Sequence, residues 1–103
     1  MDREDWKMKV IEQIKQWHHD RNLIDGSTDK DQFYKLIEEV FELQRNLSKN
    51  QPIVDDIGDI IVVLINMAER NGLAIEECLE HAYNDIKDRK GRVIDNIFVK
   101  EEK

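Results

Sequence analysis

The chain is expected to be an all-α, single-domain protein, and three observations carry that expectation. Its apolar residues recur every three or four positions over long stretches, the spacing of amphipathic helices. One proline, four glycines and few alternating β-branched runs argue against an all-β fold. A hydrophobic fraction of 40% beside a charged fraction of 38% suits helices with strongly polar outer faces. At 103 residues, 1–103 is a single domain. A chain this short buries only about 60–70% of its unfolded surface, so a partner chain is expected to help complete it.

Trp6, Val10, Ile14 and Trp17 fall at helical spacing and predict a first helix over about residues 3–20. Leu23 to Gly26 form a turn, punctuated by Asp25-Gly26. Asp29 and Gln32 have capping-box spacing for a second helix, and Thr28 could cap it equally well. That helix is expected to bury Phe33, Leu36, Ile37, Val40, Leu43 and Leu47 and to end near Ser48. Pro52 suits the first turn of a third helix, roughly 53–70, with Gly72 as its stop. From Ile60 to Leu64 this helix is apolar on almost every side, which points to a central position and a dimer interface. A fourth helix is expected from Ile75 to Lys90, burying Ile75, Leu79, Ala82 and Ile86, with Gly91 ending it. The tail from Arg92 has mixed character and no assigned element.

The net charge of −7 disfavours binding to a nucleic acid polymer or an anionic membrane surface. The apolar run Ile60–Ile65 is far shorter than the roughly 20 residues that span a bilayer. The opening MDREDWKMKV lacks the apolar stretch of a signal peptide, and Cys78, the single cysteine, can form no disulfide within the chain. A cytoplasmic setting is therefore expected, with Cys78 a small buried residue.

Two carboxylate pairs carry the chemistry. Glu39/Glu42 and Asp56/Asp59 each stand at i,i+3, neighbours on one helix face. Two such helices side by side would converge four hard oxygen donors, a set suited to Mg²⁺ or Mn²⁺. A solvated acidic face is the plainer account of the glutamates. The helix dipole accounts for Asp55 or Asp56 but poorly for Asp59, one turn further in. Gly58, costly inside a helix, suggests a close approach between helices two and three. Glu38, beside the pairs, is a candidate general base. Lys87, Arg89, Lys90 and Arg92 cluster in an otherwise acidic chain, either complementing a helix dipole or holding phosphate oxygens. His18 and His19 point about 100° apart and are expected on the surface. Trp17 is expected in the core, with stacking on a base as the alternative; Asn22 could meet a base or sugar edge.

The segments KLIEEVFEL, DDIGDIIVVLINMA and AYNDIKDRKGR together resemble the MazG-like family of all-α nucleoside triphosphate pyrophosphohydrolases, over about residues 30–92. Glu39 and Glu42 match the family's E-x-x-E, and Asp59 the last residue of its E-x-x-D; Asp56 replaces the usual Glu. Asn84 and Asp88 fall near the family's Lys and Asn positions. The resemblance implies a four-to-five-helix bundle completed as a homodimer or dimer of dimers, with nucleotide near the subunit boundary. It implies Mg²⁺, or Mn²⁺, on Glu39, Glu42, Asp56 and Asp59, and triphosphate contacts from Lys87 and Arg92; Lys35, Asn84 and Asn22 are further candidate substrate contacts. The expected reaction is hydrolysis of a (deoxy)nucleoside triphosphate to monophosphate and pyrophosphate, which would cleanse or balance a nucleotide pool. A non-catalytic nucleotide-binding or protein-interaction module is the alternative.

Overall fold

The computed structural model describes residues 3–101, with side chains from Lys9 onward. Four helices follow in order: α1 (Arg3–Asp20), α2 (Asp29–Ser48), α3 (Val54–Arg70) and α4 (Ile75–Ile86). A hairpin of β1 (Gly91–Ile94) and β2 (Ile97–Lys100) comes after them. The helical character and the first three boundaries agree with expectation. No helix among the described residues is long and apolar enough to cross a membrane.

The first three helices end by one device. Asn22, Asn50 and Gly72 take φ of 57°, 56° and 70°. Each lets its own N–H and the next one turn back onto the last carbonyls. After α1, Asn22 N–H donates to His19 O and Leu23 N–H to His18 O; after α3, Gly72 N–H donates to Glu69 O and Leu73 N–H to Ala68 O. Asn50 and Gln51 do the same for Leu47 and Asn46 after α2. Left-handed φ is cheapest for Gly and next for Asn, so these stops are written in the sequence. At the other end of α2 the open choice resolves to Thr28, whose Oγ accepts from Asp31 N–H at 3.1 Å. For α4, the Ala74 N–H donates to the Glu77 carboxylate at 3.1 Å.

Helix α3 is the hub: α1, α2 and α4 each pack on it. The loop 49–53 is short enough to fold α2 back antiparallel to α3. Among the described residues the buried hydrophobics are Val63, Ile65 and Ala68 on α3, with Asn66 fully enclosed among them. The expected stripe on α2 is covered only in part: Leu36, Ile37 and Leu43 are half-buried, while Phe33, Val40 and Leu47 are exposed. Of the expected α4 stripe only Ile75 is half-covered; Leu79, Ala82 and Ile86 face solvent. Cys78 is half-buried rather than core, and the side chain of Trp6 lies outside the described residues.

Two expectations in α1 are corrected. His18 is buried, 3% exposed, while Trp17 beside it is 43% exposed. The turn after α1 explains His18, because it folds Leu23 and Ile24 back over α3 and leaves the imidazole inside. There Nε2 donates to Val62 O at 3.0 Å and Nδ1 accepts from Asn66 Nδ2 at 3.2 Å, which satisfies both ring nitrogens in one tautomer. Asn66 also donates to Leu23 O at 3.1 Å, and Arg70 reaches the carbonyls of Leu23 and Ile24 and, through Nε, Asp29 at 3.0 Å. His19 bonds Glu69 at 2.7 Å. The interior is thus pinned by polar contacts from α1 to α3.

Helix α4 stops at Ile86, not Lys90, and the segment beyond it is a β-hairpin rather than an unassigned tail. Arg92-Val93-Ile94 and Ile97-Phe98-Val99 flank Asp95-Asn96, both at positive φ (51° and 69°), the conformation of a tight hairpin turn. Val93 pairs with Phe98 and Arg92 with Val99. Two β-rich runs split by Asp-Asn carry the signal, outweighed in the sequence reading by the helical spacing upstream.

Candidate acidic site and the cleft beside it

Asp56 occupies the first turn of α3 and is 4% exposed. Both its carboxylate oxygens accept from Asn46 Nδ2, at 3.1 and 2.9 Å. Among the described residues no cation pairs with Asp56 or Asp59. A buried carboxylate with one amide as its partner, helped by a helix N-terminus, is an expensive arrangement.

The glutamates of α2 are placed differently. Glu42 accepts from Arg45 at 2.6 Å. Glu38 and Glu39 lie 3.3 and 3.4 Å from Lys35 Nζ, and the bond to Glu38 first, then that to Glu39, raises the lysine above its ordinary 10.5. Lys35 is thereby engaged on its own helix, and Glu38, exposed beside it, adjoins no gathered cluster.

The four carboxylates do not converge. Among the described residues no three His, Cys, Asp or Glu side chains come together around a point that could hold a metal ion. The register supplies the reason. Asn46 opposite Asp56 sets residues 42–43 level with 59–60 and Glu39 level with Val63. The centre of the glutamate pair is then offset from that of the aspartate pair by about one helical turn, roughly 6 Å. The donors suit Mg²⁺ by chemistry. Gly58 is not the cause of a close approach within the chain, since a Cβ there would meet nothing within 4 Å.

Asp59 has a second neighbourhood. It lies on the rim of a cleft of about 450 Å³ between α1 and α3, walled by Val10, Gln13, Ile14, Trp17 and Val62. The volume falls within the range of small-molecule sites. Trp17 is held from two sides: the Arg21 guanidinium lies 4.5 Å from the ring centroid, and His18 meets it edge-on with centroids 5.3 Å apart. The half-open indole therefore belongs to a cleft and not to the core. Gln13, absent from the sequence reading, stands one turn from Trp17, and that i,i+4 spacing was the available signal.

The other predicted substrate contacts are scattered. Asn22 is the left-handed stop of α1, with its carbonyl accepting from Gly26 N–H at 3.1 Å. Asn84 is exposed on α4, Lys87 directly follows that helix, and Arg92 is in β1. Among the described residues neither strand packs on a helix of the same chain, so Arg92 is not brought to α2 or α3.

Comparison with known proteins gives one curated relative of note. It is an uncharacterized 18.2 kDa protein of the rep-hol intergenic region of Haemophilus phage HP1, 46% identical over 65 residues. The match takes in 61% of this chain and 40% of the phage protein. No family model and no solved structure matches the chain.

Proposed function

We propose that the chain binds a nucleoside triphosphate in the α1/α3 cleft and hydrolyses it, with Mg²⁺, to the monophosphate and pyrophosphate. The observation that carries this reading is Asp59, a carboxylate without a cation, on the rim of a cleft walled by an exposed, braced indole. Trp17 offers a face on which a base can stack, and the Gln13 amide can both donate to and accept from a base edge. Phosphates directed toward Asp59 and Asp56 would be repelled by both, so the reading requires a divalent cation between them. Such an ion supplies charge neutralisation and an acidified water. The metal rests on the donor chemistry and on the resemblance to MazG-like enzymes, because the carboxylates are offset by a turn. Glu38 and Lys35 are held to each other here, and a base role for Glu38 requires that pair to part.

The test is a titration of indole fluorescence with nucleoside triphosphates, with and without Mg²⁺, alongside pyrophosphate release. Base stacking of this kind contributes about 1–3 kcal/mol, so Trp17→Ala should weaken binding roughly five- to 150-fold. Asp59→Asn should bind nucleotide without Mg²⁺ dependence and release no pyrophosphate. Wild-type turnover in Asp59→Asn, or unaltered affinity in Trp17→Ala, refutes the placement.

A second reading, a helical module that binds without catalysis, is favoured by the local pairing of Glu39 with Lys35 and Glu42 with Arg45. Under it, Mg²⁺ leaves the melting temperature unchanged, whereas a specific ligand raises it by mass action.

A further inference from the structure

Every residue from Leu79 to Glu101 is exposed, and the hairpin makes no packing contact with its own helices among the described residues. A two-stranded hairpin alone in water is marginal. This one carries Val93, Ile94, Ile97, Phe98 and Val99, all open to solvent. The Phe98 ring lies over Gly91, where a Cβ would come within 2.6 Å of it. The end of α4 continues the apolar surface with Leu79, Tyr83 and Ile86. Residues 87–100 also hold five cations (Lys87, Arg89, Lys90, Arg92, Lys100) against two acids, in a chain of net charge −7. Lys90, Arg92 and Lys100 flank a groove of about 490 Å³ at the base of the hairpin.

The size of the uncovered surface says what belongs on it. The chain exposes 8602 Å², whereas a folded monomer of this mass exposes about 6,100 Å². Its radius of gyration is 16.5 Å, against about 13 Å for a compact chain of 100 residues. The excess area is roughly three times the ~800 Å² per partner of a standard interface. The complementary surface lies on the same sequence but out of the arm's reach: on α2, exposed Tyr34 and Phe41 alternate with Glu38 and Glu42.

We propose that the α4–hairpin arm docks on the α2/α3 hairpin of a second copy of this chain, bringing Lys90 and Arg92 to that copy's acidic face. The exchange is reciprocal in a two-fold dimer. The supply of these cations to a bound triphosphate rests on the function proposed above; the docking does not. Cations that cannot reach the carboxylates of their own chain reach those of the neighbour, and the uncovered apolar stripes of α2 and α4 are buried in the same step.

Two measurements on the full chain test this. By sedimentation the wild type should be a dimer, and Phe98→Asp and Val93→Asp should fall to 12.3 kDa monomers with helical circular dichroism retained. Added salt should weaken the dimer, since opposite charges face across it. A monomeric wild type, or arm variants that stay dimeric, overturns the docking. The second measurement mixes Arg92→Met with Asp59→Asn, each inactive alone. A trans arrangement restores about one quarter of wild-type turnover, because half the dimers are mixed and each mixed dimer has one intact site. No recovery, with an active wild type, overturns the supply in trans. A wild type without turnover refutes the function proposed above, and sedimentation still decides the arm.

Discussion

Replacing Asn66 by Ala tests whether the polar contacts around His18 hold α1 on the bundle. Asn66 is fully buried and its Nδ2 bonds both His18 Nδ1 and Leu23 O. Truncation removes two hydrogen bonds, each worth about 0.5–1.5 kcal/mol net, and strands the imidazole nitrogen at a further cost of about 1–3 kcal/mol. Leu23 O keeps Arg70 at 3.3 Å and is not stranded. Against these losses, Asn66 Oδ1 has no partner in the native chain, and its removal returns a similar 1–3 kcal/mol. The net cost is about 2 kcal/mol, a large part of the 5–15 kcal/mol that stabilises a domain of this size. Melting temperature should fall by roughly 8–16 °C, measured at fixed protein concentration because assembly shifts it. Urea denaturation of Asn66→Ala, His18→Ala and the double variant should show coupling of about 1 kcal/mol or more. A single variant melting with the wild type, or a cycle that is additive within about 0.3 kcal/mol, refutes the account. The same loosening should open the cleft, because Trp17 is braced by His18.

Asp56→Asn should leave stability within about 1 kcal/mol of wild type, since it removes a costly buried charge as well as a favourable helix-end charge. The same change should abolish any Mg²⁺-induced rise in melting temperature. A loss of 3 kcal/mol without metal would make this carboxylate structural. Lys15 bridges Glu12 at 3.0 Å and Glu76 on α4 at 3.5 Å. Its pKa is raised above 10.5, chiefly by the bond to Glu12, against a smaller opposing effect of burial. A group raised on folding contributes fully below its unfolded value and loses that contribution as pH climbs through the folded one. The wild-type urea midpoint should therefore fall more steeply than that of Lys15→Met above pH 10.5, and parallel curves would show that the bridge contributes nothing.

The helices and their ends were legible in the sequence because they depend on local physics. Period 3.6 marks the three long helices, and Gly72 marks the stop of α3; Asn22 and Asn50 stop α1 and α2 by the same left-handed turn. Thr28 and Asp29 both have cap chemistry, and only the path of the chain selects one. The β-hairpin was missed where helical periodicity fades and Asp95-Asn96 supplies the turn. What the sequence alone could not decide was relative placement. Burial of His18 and exposure of Trp17, adjacent in sequence, depend on how the α1 turn folds over α3. Whether two i,i+3 acidic pairs meet depends on the register that Asn46 and Asp56 set between antiparallel helices. A shift of one turn there separates donors that share a face in each helix taken singly, because spacing within a helix fixes direction while only packing between helices fixes height.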